Sequence, residues 1–227
     1  MLIRTLTLGL IAAGVAIAVA ALGGATASTA LPLHAGVSAS RFLTMLNALT
    51  PSNSTHAGYA RSLFHLWTDA DHDKCSTRAE VLIAESKKTT TRTVTCKVLT
   101  GKWYSPYDRK WVTLAKSLDI DHVVALKEAW RSGAYDWSYS RREAYANDLG
   151  YGPSLIAVTA TSNRAKSDKD PGVWMNVPAS YKCTYAASWV GIKWRWRLSV
   201  DTKEKAALKR VLMGCGSVSV PLPTRAY

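Results

Sequence analysis

Asp121 and His122 stand side by side in an otherwise apolar run, "KSLDIDHVVALKEAW" (Lys116–Trp130). Ile120, Val123, Val124 and Leu126 suit a core. An acid–imidazole pair does not, because a polar group buried without a partner is costly. The pair therefore either faces a cleft at a strand end or is satisfied inside the core. A neutral imidazole takes a proton from water near neutral pH, which makes His122 a candidate base. Asp121 offers a carboxylate, the hard oxygen donor that Mg2+ and Mn2+ prefer. A second polar group, "AVTATSNRAKSDKDP" (157–171), places Asn163 at a predicted helix start. Its amide oxygen is another hard donor, and the free N–H groups of a helix start favour phosphate. Arg164, Lys166 and Lys169 follow as cations for a phosphate backbone. An activated water, a divalent cation and a neutralised phosphate are what phosphodiester hydrolysis requires. Each residue also has a plainer reading: a satisfied core histidine, an N-cap asparagine, a solvated basic helix face. Asp119 reads as an exposed strand residue, with orientation of the site as its other reading.

The elements that position these groups follow from apolar spacing and breakers. A strand ends at His122 and a helix runs to about Arg131, broken by Ser132-Gly133. A second helix covers about Ser138–Leu149, and "SLIAVTA" (Ser154–Ala160) is a buried strand leading into the Asn163 helix, limited by Pro171. Upstream, Ser40–Ser52 and the stretch with Tyr59, Leu63, Phe64 and Trp67 read as short helices, and Ser76–Ser86 as a longer one. The Thr-, Val- and Trp-rich segment between them and Lys116 reads as two or three strands. Within "YKCTYAASWVGIKWRWRL", alternation from Val190 fits a strand, but Tyr185, Trp189, Ile192 and Trp196 form a helical stripe, and the length favours helix. Asp201 and Glu204 form a capping box for a last helix ending near Met213. The fold class expected is α+β.

Residues 1–27 carry one cation, a long apolar run and an A-x-A site at Ala25–Ala27, which reads as a secretory signal peptide; an uncleaved N-terminal membrane anchor is the alternative. Residues 28–58 read as a flexible leader with a short helix, 59–216 as the functional domain and 217–227 as a tail. Cys75, Cys96, Cys183 and Cys215 suggest two disulfides in an exported chain. Of three possible pairings, the sequence-local one, Cys75–Cys96 and Cys183–Cys215, is favoured. The net charge of +13 points to a polyanion partner such as nucleic acid, or simply to a soluble basic protein. In "DADHDKCSTRAE", Asp69, Asp71 and Asp73 with Glu80 follow the spacing of an EF-hand-like Ca2+ loop, although Lys74 stands where that loop wants glycine. Glu80 also reads as a first-turn helix acid.

The ordered motifs "DIDHVV" and "LIAVTATSNRAKSD" resemble the HNH, or ββα-metal, nucleases, including the HNH domain of RNA-guided CRISPR nucleases. From about Tyr59 to Cys215 the chain is similar to small secreted bacterial HNH nucleases, through "WTDADHDKCSTRAEVL", "KWYSPYD", "RREAYANDL" and "YKCTYAASWV" as well. That resemblance implies a ββα-metal core with a small antiparallel sheet and surrounding helices. It implies His122 as base, Asp121 and Asn163 as ligands of Mg2+ or Mn2+, and Arg164 and Lys166 on the substrate. It further implies that the "TRAE" helix presents Arg78 to a phosphate and Glu80 to the metal as a third ligand. The family's usual middle residue, which braces the loop holding the base, has no match; Ser154 stands at its place and Asn147 lies nearby. The expected function is a secreted, metal-dependent, largely nonspecific endonuclease of DNA, with RNA as a further substrate. The alternative is a secreted polyanion-binding protein without enzymatic activity.

Overall fold

The computed structural model describes residues 36–226, so the predicted signal peptide, 1–27, lies outside it. The described chain runs through β1 (Val37–Ser38), α1 (Ala39–Ala48), α2 (Thr77–Glu85), β2 (Thr91–Arg92), β3 (Val98–Ser105), β4 (Lys110–Leu114) and β5 (Leu118–His122). It continues through α3 (Leu126–Arg131), α4 (Tyr139–Ala146), β6 (Leu155–Thr159), α5 (Ala160–Lys166), α6 (Ala179–Trp196), α7 (Thr202–Met213) and β7 (Ser217–Val218). All strand pairs are antiparallel: β1 with β7, β3 with both β2 and β4, and β5 with β6. The architecture is α+β with small sheets.

The caps explain where helices begin. Ser76 accepts from the Ala79 amide to start α2, and Thr159 accepts from Ser162 to start α5. Asp201 and Glu204 close the expected capping box on α7. The ambiguous stretch before it is helical: Tyr185, Trp189, Ile192 and Trp196 form the buried stripe of α6. Eighteen residues in one helix bury more large side chains here than a short strand could.

Two apolar clusters result. The larger surrounds α6 and includes Phe42 and Leu46 of α1 and Leu208 and Leu212 of α7. The smaller packs Val81 and Leu82 of α2 against Trp103 of β3 and Leu118, Ile120 and Ala157 of the β5–β6 pair. Because α1 buries its apolar face, and Val218 and Val220 are buried too, the segments expected as leader and tail contribute to the same core. The expected helix around Tyr59–Trp67 is not formed. Arg61–Leu63 make one 3-10 turn and the neighbours are extended, since Phe64 must reach the core from a stretch too short for a stable helix. Disulfides join Cys75 to Cys96 and Cys183 to Cys215, the sequence-local pairing.

Candidate active site

The β5–β6 register sets Asp121 opposite Ile156 and His122 opposite Leu155, with α5 following directly from β6. Both polar residues are buried, so their partners matter. Asp121 Oδ2 accepts from the Tyr107 hydroxyl at 2.6 Å, and Oδ1 from Lys166 Nζ at 2.9 Å. Burial pushes the Asp121 carboxyl up; Lys166 and the Tyr107 hydroxyl pull against it.

His122 Nε2 lies 2.9 Å from the Ala146 carbonyl. A carbonyl only accepts, so Nε2 carries the proton and Nδ1 keeps its lone pair. Burial drives the imidazole pKa down to about 3, which keeps the ring neutral at physiological pH. Ala146 ends α4, where carbonyls lack helical partners. Asn147 fixes that end: its Nδ2 donates to the Glu143 and His65 carbonyls at 2.9 and 2.7 Å, and its Oδ1 accepts from the Thr68 amide at 3.1 Å. Of the two residues considered for the missing brace, Asn147 adjoins the carbonyl that His122 meets. Ser154 instead donates to Asp148 at 2.9 Å. On its other side, His122 stacks with Trp67, ring centroids 5.6 Å apart.

Asn163, on the second turn of α5, donates through Nδ2 to Asp119 Oδ2 at 3.1 Å, which leaves its carbonyl oxygen as the free donor. Asp119 thus orients a site residue rather than standing as a bare strand acid. Arg164 is largely exposed, with Nε 3.8 Å from Asp119. A cleft of about 560 Å3 collects Asp121, His122, Asn163 and Arg164. It also collects Tyr59, Arg61 and Lys127, which sequence reasoning missed as site residues. Arg61 was hidden inside a run read as an apolar helix face.

Three expected site residues lie elsewhere or serve differently. Lys166 is 0 % exposed and contacts Asp121 and the His122 carbonyl, so it holds the site and not a substrate. Arg78 donates to the carbonyls of Ala115 and Leu118, at 3.2 and 2.9 Å, and clips the entry to β5. Glu80 does not line the cleft. Its carboxyl is pushed up by burial and by Asp71, Asp73 and Asp69 beside it. One carboxylate oxygen from each of Asp69, Asp71 and Asp73 lies within 4.8 Å of the others, and Lys74 takes the positive φ of 75° expected of a glycine there. Glu80 stands in the first turn of α2, the plainer of its readings, and is not one of the three carboxylates that cluster.

The family described as GmrSD restriction endonucleases, C-terminal domain, matches residues 74–211. A protein of Arthroderma benhamiae, described as an uncharacterized secreted protein, is 40 % identical over 179 residues, covering 78 % of this chain and 86 % of that one. This relative is fungal, so the likeness is not confined to bacteria. No solved structure matches the chain.

Proposed function

The chain belongs to the family of GmrSD restriction endonuclease C-terminal domains, and on that premise we propose that it is a secreted, divalent-cation-dependent endonuclease with little sequence preference. Its substrate is DNA, with RNA as a further substrate, and β5, β6 and α5 serve as its ββα-metal core. The observation that carries this reading is the convergence of Asp121, His122 and Asn163 on one cleft, with the His122 ring oriented so that its basic nitrogen is free. The secreted relative supports export, and no described helix is long and apolar enough to cross a membrane.

Mg2+ or Mn2+ fits the donor set. Asn163 has its amide nitrogen engaged by Asp119 and its oxygen available, and each Asp121 oxygen keeps a lone pair beyond the one it shares. When bound, such a cation neutralises charge on the phosphate and on the departing oxygen. His122 Nδ1 takes the proton of the attacking water. The Ala146 carbonyl stabilises the imidazolium that results, and Trp67 holds the ring plane. Arg61 and Arg164 bind the phosphate at the cleft mouth. Lys166 and Tyr107 keep the Asp121 carboxylate in one orientation. The acidic loop, Asp69 to Asp73 with Glu80, remains a separate Ca2+ proposal.

The test is plasmid cleavage by purified mature protein with Mg2+ or Mn2+, with EDTA, and with His122→Ala. Cleavage should require the cation and fall to a few per cent or less in the variant, with far-UV CD unchanged. Binding without any cleavage would favour the polyanion-binding alternative.

A further inference from the structure

Charge along the chain is uneven. Between Ser86 and Leu118 there are eight lysines and arginines and a single acid, Asp108. That stretch is the three-stranded sheet β2–β3–β4. Its inner face is engaged: Trp103 donates to the Leu82 carbonyl, and Ser105 Oγ accepts from the Thr159 amide at 3.1 Å. Its outer face is not. Tyr104 and Trp111 are directly opposed across β3 and β4, so they project from the same face. They are 39 % and 55 % exposed, with ring centroids 5.2 Å apart, and Lys102 Nζ lies 4.6 Å from the Trp111 ring.

An exposed tryptophan and tyrosine, with a half-buried lysine beside them on a cationic sheet, match what unpaired bases require: π faces for stacking and charge for the phosphates. The turn from β3 to β4 also reaches the candidate active site. Tyr107 donates to Asp121, and Asp108 Oδ2 accepts from Thr159 Oγ1 at 2.8 Å at the start of the helix carrying Asn163. The sheet is therefore tied to the site through its turn.

We propose that the outer face of β3 and β4 is a docking surface for single-stranded nucleic acid, on which bases stack against Tyr104 and Trp111 while Lys102 meets the backbone. The choice of ligand rests on the nuclease reading. A stacking surface outside the cleft gives grip without sequence readout, because every base offers a π face.

The test measures binding in EDTA, apart from cleavage, by fluorescence anisotropy of a short labelled single-stranded DNA, with heparin as a polyanion lacking bases. Trp111→Ala and Tyr104→Ala should each weaken DNA binding about tenfold, leave heparin binding and melting temperature unchanged, and be largely rescued by Trp111→Phe and Tyr104→Phe. Lys102→Ala should weaken both ligands. Unchanged DNA binding in Trp111→Ala would overturn the proposal, as would equal losses for DNA and heparin, which would mark a surface reading charge alone. Failure of the parent to cut DNA with Mg2+ or Mn2+ would sink the nuclease reading and leave this binding result standing.

Discussion

Lys166 shows most directly how single residues make the site. It is a buried ammonium against a buried carboxylate, 2.9 Å apart. Removing one member of such a pair leaves an uncompensated charge and costs about 3–5 kcal/mol. Lys166→Met should therefore lower the melting temperature by roughly 6–20 °C, at about 2–4 °C per kcal/mol for a domain of this size. Added Mg2+ should restore part of that loss through Asp121. Thermal melts with and without Mg2+ check it; an unchanged melting temperature would show that Asp121 does not depend on this ammonium. Asp121, His122 and Asn163 were legible because two are adjacent and the third follows a strand and a helix start. Arg61, Tyr107 and the Ala146 carbonyl were not, because nothing local distinguishes a residue that matters only for where it arrives. Lys166 was visible as a cation, but its burial was not, since its neighbours in the chain are polar.

At the level of elements, helices with local stop and start signals were readable and the segment around Arg61 was not. The α7 box rests on two residues three apart, whereas Phe64 follows a core supplied by α3 and α4. One such tertiary effect has a measurable consequence. Lys193 of α6 faces two carboxylates, Glu128 of α3 at 2.9 Å and Glu204 of α7 at 2.6 Å. Burial opposes the Lys193 charge, but the paired acids outweigh it and push its pKa up. Burial pushes Glu204 up to about 7, with Glu128 adding to the effect and Lys193 opposing it. Burial also pushes Glu85, at the end of α2, up to about 7. A carboxyl raised on folding contributes stability below its usual pKa near 4.5, and that contribution is lost as pH rises through about 7. His122, held down to about 3 by burial, opposes these two carboxyls below its usual pKa near 6.5, but one group against two leaves a net decline in melting temperature between about pH 4.5 and 7, which Glu85→Gln with Glu204→Gln should abolish. A flat profile in the parent would contradict it. The acidic loop before α2 gives a second prediction. Its carboxylates repel one another, so Asp71→Asn should raise the melting temperature in EDTA. If the loop takes Ca2+, the parent gains stability on Ca2+ addition and this variant does not; melts with and without Ca2+ separate the outcomes.

Across the whole molecule, the two disulfides tie regions that pack in different clusters. Cys75–Cys96 fastens the acidic loop beside β3, and Cys183–Cys215 fastens α6 to the end of α7. Replacing Cys183 and Cys215 by alanine should cost about 2–5 kcal/mol, read as a shift in denaturation midpoint; a smaller shift would mean that helix packing alone holds α7. The candidate site is also assembled from residues far apart in the chain. His122 meets the Ala146 carbonyl 24 residues away, Asp121 meets Lys166 across 45, and Asn147 meets Thr68 across 79. Contacts of such separation form slowly, because chain entropy must be lost before they reward it. In terms of time, the arrangement of this cleft is among the last things the chain acquires. On the proposed function, the chain is inert toward nucleic acid until those contacts have formed.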